Sequence, residues 1–208
     1  MSDDFLFADD DPAAPADAAA EAEPPAPWIV LIVDDDVAIH ATTKMVLRGF
    51  RFEGRAVEFL SASSAAEARA ILHRTPGVAA ILLDVVMESD DAGLQLVRYI
   101  RNELNNRKVR IILRTGQPGQ APERDVILNY DINDYKSKTE LTAQKLFTTV
   151  AAALRGYQDI SAVTRHREGL ERILAASASL FGKRTVEALA AAALDHIADL
   201  APECDGVL

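Results

Sequence analysis

The sequence predicts an α/β domain: a five-stranded parallel sheet covered by helices on both faces. Three observations carry this. Short continuous apolar runs, Trp28-Ile29-Val30-Leu31-Ile32-Val33 and Ala80-Ile81-Leu82-Leu83, have the pattern of strands buried on both sides. Stretches of helical period alternate with these runs, giving β-α-β-α-β-α-β-α-β within about 110 residues, a spacing that calls for parallel crossover units. The runs also end abruptly in polar side chains, Asp34-Asp35-Asp36 after the first and Asp84 after the other. A carboxylate is costly inside a strand covered on both faces, so each should lie at a carboxyl end, the edge at which open α/β sheets bind ligands.

Taken in order, Met1 to Pro27 is rich in Asp, Ala, Pro and Glu and is expected to be disordered, because it has too little apolar surface to offset chain entropy. Its Phe5-Leu6-Phe7 segment reads as part of a solvated tail, with a short docking motif as the alternative. After the first strand, Ala38 to Phe50 reads as a helix through Ile39, Thr42, Thr43, Val46 and Leu47, and Gly49 and Gly54 mark its end and a turn. Val57 to Ala62 is the second strand. Ser63-Ser64 with Glu67 resembles a capping box opening a helix through Ala68, Ile71 and Leu72, which Pro76-Gly77 stops. The Asp84 strand follows, then a helix from Gly93 to about Asn102. Arg110 to Leu113 is the fourth strand and runs into Arg114-Thr115-Gly116. Arg124 to Asn129 is a short helix, and Asn133 to Lys138 holds the last strand.

From Leu141 the chain reads as helix. Leu146, Val150, Ala153, Tyr157 and Ile160 form a heptad-like seam, while Gly156 and Gly169 are expected to weaken it or, at Gly169, to mark a domain entry. Gly182 stops the helix, Thr185 to Leu200 is another, and Gly206-Val207-Leu208 looks like a strand start, so the chain is expected to stop inside a second domain. The expected division is 1–27 tail, 28–155 first domain, 156–168 helical linker and 169–208 the beginning of the second.

The 208 residues, 49% of them hydrophobic, supply an ample core. A net charge of −10 argues against non-specific binding to nucleic acid or anionic membranes. The lone Cys204 excludes an internal disulfide framework and fits a reducing, cytoplasmic setting. No secretory signal or apolar run of membrane-spanning length is expected. His40, His73, His166 and His196 lack metal-ligand spacing and read as ordinary helix residues, and Gly116-Gln117-Pro118-Gly119 lacks the P-loop pattern.

The strand ends, put together, bring Asp34, Asp35 and Asp36 from the first strand, Asp84 from the third, Thr115 from the fourth and Lys138 from the fifth to one edge of the sheet. Clustered carboxylates need a cation, and hard oxygen ligands suit Mg²⁺. A hydroxyl and an ammonium beside them suit a phosphoryl group. The physical reading is an aspartate that accepts phosphate with the help of Mg²⁺.

This ordered set resembles the receiver domain of bacterial two-component response regulators over about Trp28 to Arg155. The resemblance implies a flavodoxin-like, doubly wound fold with strand order 2-1-3-4-5. It implies Asp84 as phosphoacceptor, Asp34 and Asp35 as the acidic pair organising Mg²⁺ with Asp35 the direct ligand, and the carbonyl of Val86 as a further metal contact. Thr115 and Lys138 would bind phosphoryl oxygens, Met87 matches the apolar residue three after the acceptor, and Tyr135 matches the switch aromatic. Lys136 competes with Lys138, since both would face the same side of a strand. Lys138 is preferred because Asp134-Tyr135 then falls at the family spacing. Val86 and Gln117 stand where the family tunes dephosphorylation. The implied partners are a histidine kinase or phosphotransfer protein, and a second copy through the helix from Leu141.

Departures from the family pattern are Thr139 in place of a proline that permits a cis peptide, Glu88 in place of another proline, and an acidic loop, Glu88 to Gly93, about one residue longer than usual. Asp134 to Thr142 with Lys145-Leu146-Phe147 resembles receivers joined to a GAF-like domain of unknown function, and Gly169 to Ile173 with Ser177 to Phe181 looks like the start of that domain. HD-GYP or GGDEF/EAL outputs for cyclic di-GMP often follow, but no such motif is present here. The reading is a non-enzymatic phosphorylation switch. Its competitors are a phosphohydrolase, disfavoured because Val86 occupies the place of its acid/base aspartate, and a pseudo-receiver that acts only by binding proteins.

Overall fold

The computed structural model describes residues 25–116, 132–137 and 142–181, together with 185, 190–192 and 194. Six strands form one sheet in the order β2-β3-β1-β4-β5-β6. They are β1 (Trp28–Val33), β2 (Arg51–Phe52), β3 (Arg55–Ala62), β4 (Val78–Asp84), β5 (Arg110–Thr115) and β6 (Asp134–Ser137). The five longer strands are parallel, and among themselves they run in the order 2-1-3-4-5. The sheet therefore has one strand more than expected. The extra β2 is a two-residue strand, antiparallel to the start of β3. It exists because Glu53 and Gly54 both take positive φ (49° and 75°), the geometry of a tight hairpin turn.

Parity along the strands divides the core. Leu31, Val33, Ile81, Leu83, Ile111 and Leu113 face helices α2 (Ala65–Arg74) and α3 (Ala92–Arg98), meeting Ala68, Ile71, Leu72, Leu96 and Val97. Val30, Ile32, Ala80, Leu82 and Ile112 face the other way, toward Leu47 and Phe50 beyond helix α1 (Val37–Val46) and toward helix α4 (Ala143–Phe181). Every residue of β4 is buried, as its unbroken apolar run requires.

The helices differ from expectation in instructive ways. After Arg98 the chain widens into a π-helical turn, Tyr99–Glu103, with Leu104 N–H bonded to Tyr99 O (3.0 Å) and Asn106 N–H to Ile100 O (2.9 Å). Helix α4 passes through both Gly156 and Gly169 without interruption. At Gly156 an added Cβ would stand 3.4 Å from Arg110 Nε, so the glycine admits the side chain of Arg110 against the helix. Much of the supposed seam is an intramolecular contact: Leu146, Val150 and Ala153 are buried, with Leu154, on the protein's own sheet. Leu141, the expected start of this helix, lies outside the described residues, as do the segment Phe5-Leu6-Phe7, the helix Arg124 to Asn129, the Lys138-Thr139 bond, Cys204, and the strand start at 206–208. Among the described residues no helix is long and apolar enough to cross a membrane.

Candidate functional site

The carboxyl edge of the sheet is assembled by strand register. β1 ends at Val33, so Asp34 follows immediately, and its N–H bonds to Ala62 O (3.1 Å) at the end of β3. Asp84 is the last residue of β4 and stands in register with Arg114 of β5. Carboxylate oxygens of Asp34, Asp35 and Asp84 lie within 4.8 Å of one another. Asp34 and Asp84 are buried, and Asp35 is exposed at the mouth. Three hard oxygen donors this close fit a divalent cation of the Mg²⁺ type, since ionised they would otherwise repel.

Local hydrogen bonds fix the cluster. Asp34 Oδ1 accepts from Asp36 N–H (3.1 Å), and Asp36 in turn caps α1, its Oδ1 accepting from Ala38 N–H (2.8 Å). Asp84 Oδ1 accepts from Val85 N–H (2.8 Å), and Val85 O accepts from Gly93 N–H (3.0 Å) at the start of α3. A Cβ on Gly93 would lie 2.1 Å from Asp84 O and 2.8 Å from Val85 Cα, so only glycine lets α3 approach the acidic strand end. The loop between them is tied down elsewhere. Glu88 Oε1 accepts from Ala65 N–H (2.9 Å) at the N-terminus of α2, where the helix field favours an anion. Asp91 Oδ1 accepts from Ser89 Oγ (3.1 Å) and Gln95 Nε2 (2.9 Å), and these bonds hold the Asp91 carboxyl below its ordinary pKa.

Several residues around the site were not singled out from sequence. Arg114, one residue before Thr115, is almost wholly buried. It donates through Nη2 to Asp34 Oδ2 (3.4 Å) and through Nη1 to Thr43 Oγ1 of α1 (3.1 Å). Burial pulls its pKa down from the ordinary arginine value, while Asp34 and Asp84 push it back up. His40 is a residue of helix α1, as expected, and it also makes two contacts that the sequence did not show. It is buried, with Nε2 2.7 Å from Asp34 O and Nδ1 3.1 Å from Ser61 Oγ. A carbonyl can only accept, so Nε2 carries the proton and His40 braces the Asp34 backbone. Helical periodicity reveals neither contact of His40, because one is to the backbone just past the end of β1 and the other to Ser61 of β3.

Thr115 closes β5 and is buried. Tyr135, in register with Leu113, is half-buried against the core on the α2/α3 side. Val86 is half-buried and Met87 buried in the turn after Asp84. Lys136 is in register with Arg114 and pairs with Asp134 of its own strand (3.1 Å). Lys138 and Gln117 lie outside the described residues.

Comparison with known proteins gives two family matches: the response regulator receiver domain over residues 30–151, and a domain of unknown function, DUF3369, over residues 150–207. The 3'3'-cGAMP-specific phosphodiesterase 2 of Vibrio cholerae is 47% identical over 174 residues, covering 84% of this chain and 33% of that protein. The chain thus spans about a third of the length of this curated relative. Among solved structures, the CheY-like receiver domain protein of Methanospirillum hungatei is 25% identical with a TM-score of 0.52, over 64% of this chain and 98% of the other. A putative two-component response regulator/GGDEF domain protein is 25% identical with a TM-score of 0.53, over 63% of this chain and 50% of the other.

Proposed function

The chain belongs to the response regulator receiver domain family, and from that premise we propose that it is a phosphoacceptor switch whose acceptor is Asp84. The observation that carries this reading is the approach of Asp34, Asp35 and Asp84 to within 4.8 Å at the carboxyl edge of the sheet. The donor is the phosphohistidine of a histidine kinase or phosphotransfer protein. A carboxylate oxygen of Asp84 attacks phosphorus, the phosphorus–nitrogen bond breaks, and the departing imidazole nitrogen takes a proton from solvent. The product is an acyl phosphate on Asp84.

Asp34, Asp35, Asp84 and the Val86 carbonyl would hold Mg²⁺, which when bound supplies positive charge for the transferring oxygens. Thr115 donates its hydroxyl to one phosphoryl oxygen and Lys138 pairs with another. The pull on Thr115 draws Tyr135 inward, reshapes the β5–β6 end of the sheet and through it changes how α4 docks. Val86 offers no group to orient water, so the acyl phosphate, tuned at Val86 and Gln117, is long-lived. Its decay after donor removal, followed by intact mass, should take minutes or longer, and loss within seconds would sink this part of the reading.

The relative named above is a cyclic dinucleotide phosphodiesterase. We place this chain in that kind of signalling, in the cytoplasm, as a regulatory part, with turnover carried by sequence outside it. Residues 1–27 serve as an acidic tail, 28–155 as receiver, 156–168 as helical linker and 169–208 as the start of a GAF-like domain, and a second copy could pair through α4.

A second reading, an interaction module that takes no phosphate, has one observation in its favour: Arg114 already gives Asp34 a cation. Intact mass after incubation with acetyl phosphate and Mg²⁺, beside Asp84→Ala, separates the two. A gain of one phosphoryl mass that needs Mg²⁺ and Asp84 is expected. No adduct on a folded chain favours the interaction module.

A further inference from the structure

We propose that Arg114 is a positioning residue that competes with Mg²⁺ for Asp34, so that it holds the acidic cluster together without metal and weakens metal binding. The proposal rests on the receiver reading of the site. Arg114 is anchored at two points from two different elements, Asp34 Oδ2 at the end of β1 (3.4 Å) and Thr43 Oγ1 on α1 (3.1 Å), and its Nε is buried with no hydrogen-bond partner among the described residues. A guanidinium held this deep is costly unless it faces anions, and the strand register sets it directly beside Asp84 while its fork reaches Asp34. Its charge is thus installed inside the site.

Among the described residues, the three carboxylates and this guanidinium together carry a formal charge of −2, where the carboxylates alone would carry −3. The affinity of oxygen ligands for a divalent ion follows the charge they present, and a fixed cation a few ångströms away opposes a second. To engage Asp34, the metal must displace or face Arg114. A phosphoryl group brings further negative charge, so metal and phosphoryl group favour each other here more than they would around three bare carboxylates.

The test uses the full chain as wild type, Arg114→Met and Arg114→Lys, each titrated with Mg²⁺ by calorimetry and melted in chelator with and without added Mg²⁺. Arg114→Met should bind Mg²⁺ about tenfold more tightly or better, melt earlier than wild type in chelator, and gain more from added Mg²⁺. Arg114→Lys, which keeps a charge, should stay near the wild-type affinity. If Arg114→Met does not fold, Arg114→Gln keeps a hydrogen-bonding side chain without the charge and is read the same way. A folded neutral variant with unchanged or weaker Mg²⁺ affinity overturns the proposal and leaves the receiver reading standing, because the wild type still binds. Absence of Mg²⁺ binding in wild type and variants alike overturns both.

Discussion

Gly93 shows how much a single residue can decide. Its missing side chain lets Val85 O accept the Gly93 N–H at the start of α3, beside the Asp84 carboxylate, and no rotamer change can clear a Cβ that meets backbone at 2.1 and 2.8 Å. Gly93→Ala should cost about 3 kcal/mol or more in urea unfolding, the upper part of the range for overpacking. It should also lower phosphoryl uptake at Asp84 in the fraction that remains folded. The sequence marks Gly93 only as the start of a helix, because what it touches comes from the preceding strand. Asp84 was legible for the opposite reason: a carboxylate that follows a wholly apolar run is forced to the strand's carboxyl end by the cost of burying its charge. Arg114 sits between those cases. It follows an apolar run much as Asp84 does, but its partner Asp34 is 80 residues away, and nothing local says that its head group turns inward.

Among the elements, α4 divides along its length. From Leu146 to Leu154 it is part of the core, whereas Val163, Leu170, Ile173 and Leu174 are exposed. Leu154→Ala should therefore destabilise the fold by about 2–5 kcal/mol, and Leu170→Ala by less than about 0.5 kcal/mol, both read from urea midpoints. Equal costs would mean that the outer half is packed as tightly as the inner. The periodicity of α4 was readable, but its partner was not, since a seam that faces a sheet and one that faces a helix share the same spacing. The two-residue β2 was unreadable for a different reason: it is too short to carry any period, and only the turn at Glu53-Gly54 creates it.

For the molecule as a whole, the parallel sheet and its two covered faces follow from the apolar runs and their alternation with helices, whereas the strand order was implied only by the resemblance to receiver domains; the described core closes on itself well before the outer half of α4 begins. A chain ending at Ala162 should keep a cooperative thermal transition within a few degrees of the receiver transition in the full chain. A collapse of that transition would show that the outer segment belongs to the receiver's folding unit.

The uninterrupted passage of α4 through Gly169 has a mechanical consequence. The stretch from Val163 to Ser179 is a stiff arm of roughly 25 Å, at about 1.5 Å per residue, clamped at one end to the sheet. A tilt of about a tenth of a radian at the clamp, the size of a slight repacking around Leu146 and Val150, sweeps the tip by roughly 2.5 Å. Such an arm gears a small displacement at its root into a larger one at its tip, so whatever is fastened there feels an amplified stroke.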